Sequence, residues 1–167
     1  MLLVFCLLVV AVSPDDMPSA IAEVRAVHGA PTHGVPGPWA LLGHRIGQDA
    51  IKRFGKSRSQ SWDLTVTHRA PQEVKYACMI DGLQASTGTS MGKLNLRHEA
   101  VESSASVASI VSDKKSGRTL VYKPSKDFID SLGNADYANF PVAAKTLFDS
   151  PLERWVVVSE DSRTTRP

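Results

Sequence analysis

"YACMIDGLQASTGTSMGKLNLRHE", residues Tyr76 to Glu99, decides how the chain is read. It places Cys78 just before Asp81, followed by three glycines with four hydroxyl side chains among them. Upstream, "SWDLTVTHR" alternates, with Trp62, Leu64, Val66 and His68 facing one way and Asp63, Thr65 and Thr67 the other, which predicts a half-buried strand. After the turn "APQE", Val74, Tyr76 and Cys78 fall on one face of a second short strand, so Cys78 is expected where a strand hands over to a helix. Downstream, "NLRHEAV", "ASVASIV" and "RTLVYK" read as strands, with "DKKSG" a hairpin turn between the last two. "SKDFIDSL" and "FPVAAKTLF" read as helices, and "ERWVVVSE" as a closing strand. Strands and helices that do not strictly alternate indicate an α+β fold, one domain with a mixed sheet packed against helices.

A thiol at a helix start faces unpaired backbone N–H groups and the positive end of the helix dipole, which favours thiolate and suits a nucleophile or a metal ligand. The negative charge of Asp81 opposes this. A free cysteine is as readily a small buried hydrophobe, and both readings stay open at this point. The stretch "GTSMGKL" looks like a phosphate-binding loop, but three residues separate Gly88 and Gly92 where four are required, and Leu94 stands where Mg²⁺ needs Ser or Thr. A looser anion site built from Thr87, Gly88, Thr89, Ser90 and Lys93 remains, beside the simpler reading of a Gly/Ser turn between elements.

Working towards the N-terminus, "GPWALLGHRIGQDAIKRFG" is the best helix of the chain, with Pro38 near its first position and Gly55 as its stop. Trp39, Leu42, Gly43, Ile46, Gly47, Ala50 and Phe54 form one face, and His44, Arg45, Gln48, Asp49, Lys52 and Arg53 form a solvated one. Gly43 and Gly47 each weaken a helix by about 1 kcal/mol relative to alanine, so something presses closely on their face, and a sheet is the expected partner. "SAIAEVRAVHG" is a shorter helix that ends at His28. Between the two helices, "APTHGVPG" has the proline and glycine content of a loop and carries His33. His44 is placed on the solvated face, His68 at a strand end and His98 on an exposed edge. His28 and His33 differ, because they flank a rigid loop directly before the main helix. With Cys78 they make a His/His/Cys set that suits zinc or another borderline metal with open positions.

Composition limits the function classes. The 19 Lys and Arg residues are interleaved with 17 Asp and Glu residues and form no basic block, so nucleic acid is not an expected partner. Cys6 and Cys78 form no paired-cysteine spacing, which argues against a disulfide framework. "MLLVFCLLVVAV" is a run of twelve apolar residues. As a helix it reaches roughly 18 Å against a hydrocarbon core of roughly 30 Å. It reads as an export signal, a buried strand or a mis-called start. Membrane contact is expected only through residues 1–13, if they are retained. The location is exported or periplasmic if they act as a signal and cytoplasmic otherwise. Residues 14–160 then form the domain and 161–167 a frayed tail.

Two stretches together, "HGVPGPWALLGHRIG" and "CMIDGLQASTGTSMGKLNLR", resemble the paired motifs of the FmdE family, the proteins named after the formylmethanofuran dehydrogenase operon. The second is the stronger match, carried by Cys78, Asp81, Gly82, Leu83, Gln84, Thr87, Gly88, Thr89, Gly92 and Lys93. "LFDSPLERWVVVSE" is similar to the family's closing segment, so the resemblance spans roughly residues 18 to 160. It is closest to stand-alone members, because no C-terminal cysteine-rich zinc finger follows. In the histidine motif, Val35 stands where a second His is usual and Gly37 where some members have Cys, and either His28 or His33 matches the family's histidine.

The resemblance implies an α+β core, usually a homodimer, with a cleft between the histidine loop and the cysteine turn that holds a divalent metal such as zinc. The family takes its name from an operon of methanogenesis, where redox chemistry belongs to a molybdenum or tungsten cofactor on other proteins of the complex, so no molybdopterin is expected here. Two functions of different class follow. One is a metal-binding accessory or binding protein that serves a metalloenzyme partner or senses a small ligand. The other is an enzyme with Cys78 as ligand or nucleophile, His28 or His33 as ligand or base, and Lys93 with Thr87 stabilising an anion near Asp81. A structural dimer module whose glycine turn merely packs is the third reading.

Overall fold

The computed structural model describes residues 16–28, without the His28 side chain, and residues 35–161. The expectations for residues 1–13, for His33 and its loop, and for the tail beyond Asp161 fall outside them. In chain order come helices α1 (Met17–His28) and α2 (Pro38–Arg53), a 3-10 turn (Arg58–Asp63) and strand β1 (Leu64–Ala70). Helices α3 (Val74–Ala77) and α4 (Met79–Thr87) lead to β2 (Leu96–Ala100), β3 (Ala108–Asp113) and β4 (Thr119–Pro124). Helices α5 (Lys126–Ser131), α6 (Phe140–Phe148) and α7 (Leu152–Trp155) precede β5 (Val156–Asp161). The five strands form one sheet in the order β2-β1-β3-β4-β5. Among the described residues only β1 and β2 run parallel, with Val66 opposite Leu96. The fold is α+β.

The sheet buries one face. Leu64, Val66, His68 and Ala70 of β1, Val111 of β3, and Leu120 and Tyr122 of β4 point into the helical layer, while Thr65 and Thr67 do not. This is the alternation read from the sequence, although β1 begins only at Leu64 and Trp62 is 63% exposed. At the other end, the expected closing strand starts three residues late, because Leu152–Trp155 form a helical turn.

The second strand expected at Val74–Cys78 is instead the helix α3, continued by α4 after a kink at Cys78. An alternation of three residues fits a helical face as well as a strand. Topology decides between them: joining β1 to the parallel β2 requires a crossover, and α3 and α4 provide it. Val74 is accordingly 86% exposed instead of sharing a buried face with Tyr76.

The pressure on Gly43 and Gly47 comes from α4, not from the sheet. A β-carbon on Gly43 would lie 2.1 Å from the Met79 carbonyl oxygen, one on Gly47 1.9 Å from Ser86 Oγ, and one on Gly82 1.8 Å from the Ala40 carbonyl oxygen. The two helices touch closely: Gly43 meets Met79 near the start of α4 and Gly47 meets Ser86 near its end, and Pro38 and Cys78 at their starts line one cavity. They therefore run in the same direction, with both N-termini at one end.

The supposedly solvated face of α2 is also covered over its first half. His44 and Arg45 are 3% and 4% exposed. His44 Nε2 pairs with Glu23 of α1 at 2.9 Å, and Arg45 donates to the carbonyl oxygens of Leu147 and, at 3.0 Å, Ser150. Arg45 also lies over the Phe148 ring. A central helix packed by α4 on one side and by α1 and α6 on others has no solvated face there, so its polar side chains are buried with partners. Lys52 and Arg53, in the last turn, are exposed as expected.

Candidate functional site

The shared N-terminal end of α2 and α4 opens on a cavity of about 550 Å³. Among the described residues, Trp39, Val35, Tyr137 and Phe140 give it apolar and aromatic walls, Cys78 lies in its lining, and Arg25 and Lys75 bring positive charge. Each wall has a local cause. Gly37 precedes Pro38 at the start of α2, and its missing side chain lets the Phe140 ring approach, since a β-carbon would stand 3.1 Å from it. The Trp39 indole donates to the Gly133 carbonyl at 2.8 Å and meets Tyr76 and Phe128 edge-on at 4.9 and 5.0 Å, which fixes its plane. The Lys75 ammonium donates to Asn134 Oδ1 and lies 5.2 Å from the Tyr76 ring centre.

Cys78 ends α3 and begins α4. It is a half-buried free thiol whose Sγ donates to the Lys75 carbonyl at 3.2 Å. Burial, and after it the charge of Asp81, push the thiol up to about 12, against weaker support for the thiolate from backbone N–H groups. By itself the group is a protonated thiol at neutral pH.

Behind Cys78 stands a buried polar relay. His68 is fully buried, not at a strand end but inside β1, and its ring bonds to Ser109 Oγ at 3.0 Å and the Tyr76 carbonyl at 3.2 Å. With Nε2–H donated to Tyr76, Nδ1 of the neutral ring accepts the Ser109 hydroxyl proton, and Ser109 Oγ also lies 3.2 Å from Met79 Sδ. Burial lowers His68 to about 4, outweighing the bond to Tyr76, so it is neutral at physiological pH. The sheet is thereby tied to the residues on both sides of Cys78 through Tyr76 and Met79. His98 stacks on His68 at 6.2 Å and bonds to the Ala70 carbonyl, partly buried on the edge strand β2.

The remaining residues of the cysteine motif lie elsewhere. Asp81 occupies the first turn of α4 and does not line the cavity. Thr87, Gly88, Thr89 and Lys93 are at the far end of α4, roughly 13 Å along a helix of this length. Thr87 and Thr89 are fully buried, with Thr87 Oγ1 2.6 Å from the Leu83 carbonyl oxygen and 2.8 Å from Thr89 Oγ1. The Lys93 ammonium donates to the Gly88 carbonyl at 2.7 Å and to Ser61 Oγ at 3.1 Å. Gly88 adopts φ +70° to end the helix, and a β-carbon there would crowd Arg58. The structure therefore does not bring Lys93 and Thr87 together with Cys78. Among the described residues no three His, Cys, Asp or Glu side chains cluster to hold a metal.

The aromatic wall leaves little trace in the sequence. Trp39 reads as a core residue on the apolar face of α2, which it also is, and nothing local marks Tyr137 or Phe140 as its neighbours across the cavity. Pro38 is the one usable signal, because it fixes where α2 and with it this end of the cavity begin.

The described residues form an α+β domain with a cavity at the joined starts of two helices and a thiol in its lining. The family model described as FmdE, molybdenum formylmethanofuran dehydrogenase operon, matches residues 32–150, well over half of the chain. The chain belongs to the FmdE family. No curated protein matches it.

Proposed function

We propose that this protein is a metal-binding accessory or binding protein of the FmdE family, in which Cys78, with His28 or His33 or both, holds a divalent ion such as zinc at the cavity, where a small ligand completes the ion's shell. The observation that carries this reading is the placement of the cavity between the two ends of the histidine segment. Arg25, one turn before His28 on α1, and Val35, two residues after His33, both line it. Cys78 supplies a sulfur ligand at the same cavity, and the starts of α2 and α4 favour negative charge there.

The state of the thiol supports a ligand over a nucleophile. A thiol pushed up to about 12 has almost no thiolate at neutral pH, whereas a divalent ion deprotonates it on binding. Arg25 and Lys75 would oppose a bare cation, and they suit the anionic group of a ligand whose apolar body rests on Trp39 and Phe140.

Elemental analysis of the purified protein after zinc reconstitution tests the reading, with wild type beside Cys78→Ala, His28→Ala and His33→Ala. Near-stoichiometric metal in the wild type, lost in Cys78→Ala and in at least one histidine variant while the melting temperature is retained, is expected. Metal that survives Cys78→Ala would remove Cys78 from the site, and metal absent throughout would leave a binding or structural module; either overturns the reading.

A further inference from the structure

The far end of α4 turns its polar groups inward and carries apolar ones on its outer side. Strands β1 and β2 enter the sheet from this end and β3 leaves it there, so the loops before Leu64, before Leu96 and after Asp113 lie together. On two of these loops the described residues leave three large apolar side chains to solvent: Trp62 at 63%, Met91 at 62% and Leu94 at 86% exposure. The two loops touch. The Asn95 side chain donates to the Ser61 carbonyl at 2.8 Å, and the Lys93 ammonium lies 5.6 Å from the centre of the Trp62 ring.

Folding does not account for Leu94. Its φ is +58°, the one positive value of a non-glycine residue among the described ones. The left-handed region crowds the β-carbon of every L-residue, and asparagine and aspartate tolerate it best. Leu94 bears this strain with its side chain in solvent, so no burial within the chain offsets it. What the leucine gains from that position lies outside the chain.

The surroundings are cationic. Lys114 is exposed on the turn after β3, and its backbone N–H donates at 2.8 Å to the carbonyl of Asp63, the neighbour of Trp62. Arg97 is exposed three residues after Leu94. Lys93 bonds to neutral oxygens, which leave its charge uncancelled. The acids nearby are already matched, Asp63 and Asp113 by Lys56 and Lys115, and Glu23 by Arg58 at 3.8 Å. Among the described residues, Lys93, Arg97 and Lys114 thus stand as net positive charge around the apolar tips.

We propose that this end of the molecule docks on an anionic lipid surface, with Trp62, Met91 and Leu94 entering the headgroup layer and Lys93, Arg97 and Lys114 facing the lipid phosphates. The two sets match in kind. An indole prefers the boundary between water and hydrocarbon, exposed apolar tips enter that boundary without needing a fitted pocket opposite them, and each nearby cation adds attraction to an anionic leaflet. The contact is separate from residues 1–13, the part that the sequence alone associates with a membrane. It also leaves the cavity, at the other end of α4, clear of the lipid.

Co-sedimentation of the full chain with phosphatidylcholine vesicles, with and without phosphatidylglycerol, tests this. Binding to the anionic vesicles that weakens as salt rises is expected, with little binding to the neutral ones. Trp62 is its own reporter, because Trp39 and Trp155 are buried. Its emission should shift to shorter wavelength on the anionic vesicles and be quenched by brominated lipid. Leu94→Asn is the second arm. Asparagine tolerates the left-handed backbone, so the melting temperature should hold or rise while lipid affinity falls about tenfold. A chain that binds neither vesicle, binds both equally, binds without quenching of Trp62, or binds as tightly after Leu94→Asn would overturn the proposal. The first result would leave the patch to a protein partner, and the third would place the contact elsewhere, as residues 1–13 alone would. None of these readouts depends on metal, so the outcome is independent of the cavity.

Discussion

The two ends of α4 come from one sequence motif and face opposite physical situations. At the far end, Thr87, Thr89, Ser90, Lys93 and Asn95 bond to one another, to Ser61 and to backbone carbonyls within a few residues of Gly88. The donors and acceptors there are directed inward, and the group that most resembles an anion-binding cation, Lys93, is already engaged. At the near end, Cys78 makes only backbone contacts through its sulfur, with a cavity in front of it and the starts of two helices around it. A motif of uniform appearance therefore splits into a part that closes the fold and a part that faces a cavity. Spacing alone does not separate them, because both parts need glycines and hydroxyls.

What the two ends share is the contact of α4 with α2, and Gly82 is its tightest point. Gly82→Ala would set a methyl group 1.8 Å from the Ala40 carbonyl oxygen and 2.4 Å from the His44 nitrogen, which are backbone atoms that cannot swing aside. The helices must separate, and a loss of about 4 kcal/mol or failure to fold is expected in urea denaturation, the largest effect of any single methyl in this region. Gly92→Ala is the matched comparison, with only Ser90 Oγ near its added carbon, at 4.0 Å. It should change stability by less than about 1 kcal/mol. Equal effects would show that close helix contact is not what positions Cys78.

The near end can be loosened without a substitution, through His68. Its Nε2–H donates to the Tyr76 carbonyl in either protonation state, and burial is what disfavours its charged form. Its folded value is depressed to about 4 from 6.5, so the native state binds fewer protons than the unfolded chain between those values. Stability from this group is full above pH 6.5 and is lost as pH falls towards 4, by on the order of 3 kcal/mol. Chemical denaturation from pH 7 to pH 4 should show this slope, and His68→Gln should flatten it. The protein should thus lose order at the Cys78 end in mild acid, while the far end, whose bonds include no histidine, holds.

These contrasts also show what was legible in the sequence. The α+β class and most of the elements follow from periodicity and stop signals that are local: Pro38 and Gly55 around α2, alternation in Leu64–His68, and the turn between β3 and β4. The failures are tertiary. Tyr76 and Cys78 read as a strand because three residues do not fix a period, and only the parallel pairing of β1 with β2 demands a helix. His44 and Arg45 read as solvated because their partners, Glu23 and the end of α6, are distant in sequence. For the same reason Gly43 and Gly47 announced a close neighbour without naming it. At the candidate site, Cys78 was legible as a residue and its aromatic surroundings were not, since Tyr137 and Phe140 arrive from a different part of the chain.

The smallest effect is the most diagnostic of the near end. Asp81 raises the Cys78 thiol by Coulomb repulsion, second to burial. Asp81→Asn removes the repulsion and leaves the burial, so the thiol should titrate lower than about 12 and still above an ordinary cysteine. Iodoacetamide alkylation of the metal-free protein, followed from pH 7 to pH 11, should give a wild-type rate that climbs without a plateau. In Asp81→Asn the whole curve should shift to lower pH, with a rise of several-fold at any fixed pH. Adding zinc separates the two readings of the thiol. A ligand becomes protected in both proteins, whereas a nucleophile beside an empty cavity continues to react at its metal-free rate.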